Sequence, residues 1–313
     1  MAAEGRRIIG NDCRRFKKSL PTSIGYWTAV FEISLVNCTI IGSIPDELSS
    51  LKNLCFLRLG CNRLTGSLPS SLNLLPYLSC LDVSNNQLSG EFPALPNLDH
   101  LAILDISRNR FTGPVPTVFS KSQKLQCVYA DHNLFNAIPA SISQLTSLRN
   151  LSMSGNKFSC EIPPGIWNMT ALIRLTMSGC NIFGSLAGVG GLHDLSTLDV
   201  SNNQLSGEFP SREISNMLGL CALHVVGNQF SWGEVLDMSE DECKMMMCMD
   251  REFQETYVIR EGFHKCHEEH GVVPFTGDIS DSEFEDYSED ESDDDDDNNN
   301  DDDHDDDDDD EED

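Results

Sequence analysis

The chain has no stretch of about 18 or more consecutive apolar residues, the minimum for a helix crossing the hydrocarbon core of a bilayer, so a membrane-spanning helix is not expected among its 313 residues. Its opening, Met1 to Asp12, has no apolar core of signal-peptide length. The cytosol or nucleus is therefore the expected location; a leader lost from the start would place the chain outside the cell. No glycine-rich phosphate loop and no nucleophile motif occurs, which argues against an enzyme, and no cofactor is expected. Aromatic residues make up only 7%. Positive charge is also scarce, with 21 Lys and Arg against 51 Asp and Glu, a formal net charge of −30. The deficit is local. Residues 276–313 contain no Lys or Arg and 25 of the acidic groups, which leaves 26 acidic against 21 basic residues elsewhere.

What is present in quantity is a repeat. Leu54, Leu57, Leu59, Asn62, Leu64, Gly66, Leu68 and Pro69 return as Leu78, Leu81, Val83, Asn86, Leu88, Gly90, Phe92 and Pro93. They return again as Leu101, Leu104, Ile106, Asn109, Phe111, Gly113, Val115 and Pro116. Registers begin at Val30, Leu54, Leu78, Leu101, Leu125, Leu148, Leu172, Leu195 and Leu220, spaced 23 to 25 residues apart. Such a period marks a solenoid, in which each unit buries its apolar face only against its neighbours.

Each step counted from these starts has a physical role. Apolar residues at steps 0, 3 and 5 point inward from a short strand and its approach. Asn at step 8 turns the chain inward and satisfies backbone groups that the turn leaves unpaired. Cys38 and Cys180 stand at that step in two repeats and substitute for Asn. Gly at step 12 permits a backbone angle closed to other residues. The apolar-Pro pair, as in Ile44-Pro45, fills the core and opens an outer return segment that is extended or a tight helical turn, because φ at Pro is fixed. Repeat seven reads Leu186-Ala187-Gly188 at this place, so an irregular outer edge is expected there, and repeat five is one residue short and lacks the Gly.

The pattern Leu-x-x-Leu-x-Leu-x-x-Asn-x-Leu-x-Gly-x-Ile-Pro resembles the plant-type leucine-rich repeat over roughly residues 27–235. The resemblance implies an α/β solenoid: a parallel β-sheet on the concave face, extended or 3-10 segments on the convex face, and recognition of another protein on the concave or lateral surface. The paired-cysteine N-terminal cap usual in that family is missing. Most of the twelve cysteines fall inside repeats, where a thiol acts as a small apolar group, and reduced thiols are expected.

Steps 2 and 4 should face solvent from the concave strands. Together with step 7 they offer a mixed patch of Phe56, Arg58, Asp82, Ile103, Asp105, Tyr129, His132 and Arg174, a partner-binding candidate because aromatics beside arginine make binding hot spots. An acid–base reading of Asp82 and Asp105, about 5 Å apart on neighbouring strands, competes with Leu-Asp-Val/Ile-Ser being a common filling of the repeat. Catalytic residues are not expected.

Four segments follow: a basic N-terminal arm or cap at 1–26, the repeat domain at 27–238, a C-terminal helical cap at 239–275 and an acidic, disordered, low-complexity tail at 276–313. Ser239 to Glu242 starts the cap helix, with Met246, Met249, Phe253 and Tyr257 at helical spacing. Cys243, Cys248, Cys266 and His270 are too loosely spaced for the usual zinc knuckle, and no metal is expected. The N-terminus carries Arg6, Arg7, Arg14, Arg15, Lys17 and Lys18, and its run Arg14-Arg15-Phe16-Lys17-Lys18 reads as a nuclear-import or nucleic-acid patch, a solvated arm, or a partner for the chain's own tail. Repeats followed by an acidic tail also resemble the layout of acidic leucine-rich nuclear phosphoproteins, which implies an alternative role: binding histones or other basic proteins through the tail. The tail's charge excludes nucleic acid as its ligand.

Overall fold

The computed structural model describes residues 6–10, 18–117 and 124–231. The cap expected at 239–275, the acidic tail, the Cys243–His270 group and Arg14, Arg15 and Lys17 lie outside the described residues.

Three residues at steps 2 to 4 form the strand in eight of the nine repeats, for example Phe56–Arg58, Ile103–Asp105 and Ala222–His224; in the first the strand runs Val30–Ser34. All nine pair in parallel and in sequence order, with one more strand, Arg6–Ile9, at the N-terminal edge, to make a ten-stranded sheet. The register is uniform: Leu57, Leu81, Leu104, Val128, Leu151, Leu175, Leu198 and Leu223 face one another rung by rung at step 3. All are essentially fully buried. The core is a column of such layers. In repeat two it takes Leu54, Leu57, Leu59, Leu64 and Leu68, and then Leu72 and Leu75 from the outer turn. Burying each of these leucines contributes about 1.5–3 kcal/mol.

The N-terminal strand belongs to the same pattern. Arg7, Ile8 and Ile9 pair with Glu32, Ile33 and Ser34, which places Ile8 at step 3 of an extra, degenerate unit. Gly10 donates its N–H to Ser34 O at 2.8 Å, as Leu35 does to Arg58 O one rung on.

The step-8 asparagines form a continuous hydrogen-bond ladder through the stack. The Asn62 amide donates to Leu35 O of the preceding repeat at 2.7 Å and to Leu59 O and Gly60 O of its own turn. Its Oδ1 accepts the N–H groups of Cys38 and Ile40, both at 3.0 Å. Asn86, Asn109, Asn133, Asn156, Asn203 and Asn228 repeat the motif with the preceding repeat's carbonyls and amides. The two cysteines at this step do substitute for it. Cys180 Sγ donates to Met153 O and Ser178 O at 3.2 Å, and Cys38 Sγ to Gly10 O at 3.1 Å. Burial pushes the Cys180 thiol up to about 11, so it remains a proton donor.

After the apolar-Pro pair the chain makes a five-residue 3-10 turn, at Asp46–Ser50, Ser70–Leu74, Ala140–Gln144 and Pro164–Asn168. Pro45, Pro69 and Pro139 precede it in extended conformation. In repeat seven the turn shrinks to Val189–Gly191, entered through Gly188 at φ 91°. The cause lies one repeat earlier. Trp167 is buried at the level where other repeats carry small residues. A Cβ on Gly188 would stand 3.1 Å from its ring, and one on Gly191 would stand within 2.3 Å of its carbonyl oxygen.

A second ladder, not anticipated from the repeat pattern, runs beside the first along steps 9 to 13. Ile41–Gly42, Arg63–Gly66, Gln87–Glu91 and Arg110–Thr112 form one parallel sheet, and Phe183–Gly184, Gln204–Glu208 and Gln229–Ser231 another. Between them only the bridges Pro114–Ala137 and Glu161–Phe183 connect. The two repeats without a strand here carry Ala137 and Cys160 at step 12 in place of Gly, whereas repeat nine, with Trp232 at that step, keeps the strand Gln229–Ser231. At step 12, Gly42, Gly66, Gly90, Gly113, Gly184 and Gly207 adopt φ between 78° and 92°, a region open to glycine and strained for a residue with a Cβ.

Candidate functional site

The outward faces of the ten-stranded sheet carry two rows of side chains. The step-2 row reads Glu32, Phe56, Cys80, Ile103, Cys127, Asn150, Arg174, Thr197, Ala222; the step-4 row reads Ser34, Arg58, Asp82, Asp105, Tyr129, Ser152, Thr176, Asp199, His224. Seven of the eight residues expected in the patch therefore share one face: Phe56, Ile103 and Arg174 on the first row, Arg58, Asp82, Asp105 and Tyr129 on the second. His132 stands apart. It is exposed at step 7, with φ 50°, and its ring is close enough to Gly155 that a Cβ there would lie 2.6 Å from Nδ1.

The N-terminal end of the face is an ion-paired clamp. Glu32, with its side chain 11% exposed, accepts from Arg7 Nε at 3.0 Å through one oxygen and from an Arg58 terminal nitrogen at 2.8 Å through the other. The Arg7 guanidinium lies 5.1 Å from the Phe31 ring centre, and that of Arg58 lies 5.2 Å from Phe56. A nearly buried carboxylate with both oxygens paired, and each cation on an aromatic face, holds two long side chains in fixed positions. Glu32 was the anchor missing from the sequence-based patch. Its signal is the opposite charge at steps 2 and 4 of adjacent repeats.

The aspartates are engaged by their own turns. Asp82, Asp105 and Asp199 each accept, through one oxygen, the N–H and hydroxyl of the serine two residues on, at 2.6 to 3.0 Å. Burial pushes the Asp105 carboxyl up, the Ser107 hydrogen bonds pull it down, and the neighbouring Asp82 and Asp131 push it up again. Asp131 accepts from Ser152 Oγ and Ser154 N, and Ser152 is in turn 2.6 Å from Thr176 Oγ1, so the polar row continues across the middle repeats. Burial raises the Tyr129 phenol, and the adjacent Cys127 thiol adds to the rise; the Asn150 amide donates to Cys127 Sγ at 3.3 Å. Cys80 is likewise raised by burial, against a lowering contribution from Arg58. Among the described residues, no group of three or more His, Cys, Asp or Glu side chains is arranged to hold a metal ion. No helix among them is long and apolar enough to cross a membrane.

Family models of the leucine rich repeat match residues 96–158, 77–98 and 194–216. These are leucine-rich repeats of the plant type. The leucine-rich-repeat stack is similar to the ectodomain of the plant membrane receptor kinase GASSHO1/SCHENGEN3 from Arabidopsis thaliana, solved in complex with CASPARIAN STRIP INTEGRITY FACTOR 2. Identity is 30%, TM-score 0.65, with 74% of this chain and 30% of that one covered. It is also similar to the plant peptide hormone receptor RGFR1 in complex with RGF2, at 26% identity and TM-score 0.61, with coverage of 73% and 40%. The chain thus spans less than half the length of either receptor. A plant ice-binding protein matches at 27% identity and TM-score 0.61, covering 72% of this chain and 74% of that one. No curated protein sequence matches the chain.

Proposed function

We propose that this protein is a recognition module that binds another protein or peptide on the concave face of its leucine-rich repeats, and that it is not an enzyme. The carrying observation is the clamp: Arg58 is fixed by Glu32, stacked on Phe56, and followed on the same face by Ile103, Tyr129 and Arg174. Ordered aromatic and arginine side chains on a rigid sheet lose little entropy on binding and serve as anchors. The two receptors it resembles were solved with a factor or hormone bound, which supports the same use of the scaffold here. Binding rather than catalysis is favoured because Asp82, Asp105 and Asp199 each use one carboxylate oxygen to close their own turn on Ser84, Ser107 and Ser201, the structural use of an aspartate that fills the repeat.

The test is recovery of partners from lysate by the full-length chain and by its Arg58→Ala/Tyr129→Ala variant, followed by titration calorimetry with each purified partner. Affinity should fall at least tenfold in the variant while the melting temperature stays within about 2 °C. Unchanged affinity for every recovered partner would overturn the reading. The location that fits the chemistry is a reducing compartment, cytosol or nucleus, since all eight described cysteines are free thiols and two of them donate structural hydrogen bonds. A native chain recovered with those thiols blocked as disulfides would contradict that placement.

A further inference from the structure

We draw no further inference here: the strongest candidate, the exposed apolar patch of Leu74 and Tyr77 on the outer side of repeat two, beside repeat three with its missing 3-10 turn, is an unpartnered face, and nothing in the structure shows what covers it.

Discussion

Asp105 sits in the step-4 row between Asp82 and Tyr129, with Asp131 close by, and its carboxyl is raised chiefly by burial. The folded chain therefore holds this proton more tightly than the unfolded chain does. Stability from this group is greatest at low pH. It falls as pH rises from the ordinary carboxylate value, about 3.9, through the raised folded value, and above that the penalty is full. Asp105→Asn removes the charge and keeps an oxygen to accept from Ser107 N and Oγ. The variant should show a higher urea midpoint than the unmodified chain at about pH 7, and no difference at about pH 2.5. An equal gain at both values would mean that packing, not ionisation, sets the effect. The sequence placed Asp82 and Asp105 correctly on one face because period-2 alternation follows from the strand alone. It gave no sign that serine two residues on would engage each carboxylate. That contact depends on how the turn closes.

Among the elements, the repeat pattern was legible wherever a residue type had a single role: inward leucines, the step-8 Asn and the Pro that opens the outer turn. The second ladder was not, because its exposed steps carry Arg, Gln, Thr and Ser with no common residue. The step-12 glycine is only a partial mark: repeats five and six lack both it and the strand, but repeat nine has Trp232 there and keeps the strand. The strand Arg6–Ile9 was read as part of a basic arm or cap, since one isoleucine at step 3 is too little pattern to register. Repeat seven is the clearest case of an irregularity with a partner. The Gly188–Gly191 run makes room for Trp167, and at Gly191 the obstacle is a backbone oxygen that no rotamer change can move. Gly191→Ala should cost about 1–3 kcal/mol. Gly219→Ala, where the nearest atom to a new Cβ is 3.6 Å away, should be close to neutral. Chemical denaturation of both variants checks this, and equal behaviour would show that the Trp167 contact does not constrain the turn.

For the whole stack, each repeat touches its neighbours and few others, so stability is a sum of unit and interface contributions and a local defect propagates only through adjacent interfaces. The ten-stranded sheet, the step-8 hydrogen bonds and the leucine column cross every repeat boundary from Val30 to His224, and the second ladder crosses all of them but the one between repeats five and six. The coupling between units is therefore strong relative to the cost of one weakened layer, and residues 30–231 should unfold together. Leu104, fully buried at step 3 of repeat four, is the place to probe this. Leu104→Ala should cost about 2–5 kcal/mol from lost transfer energy and the cavity left behind. Trp27 precedes repeat one and Trp167 ends repeat six, so the two lie on either side of the defect. Chains keeping only one of them, with the other tryptophans changed to Phe, report on each half by fluorescence. A cooperative stack requires both probes to shift to the same lower urea midpoint when Leu104 is truncated. If the Trp27 and Trp167 transitions separate instead, repeat four is the boundary between two independently folding blocks, and the coupling through the ladders is weaker than their continuity implies.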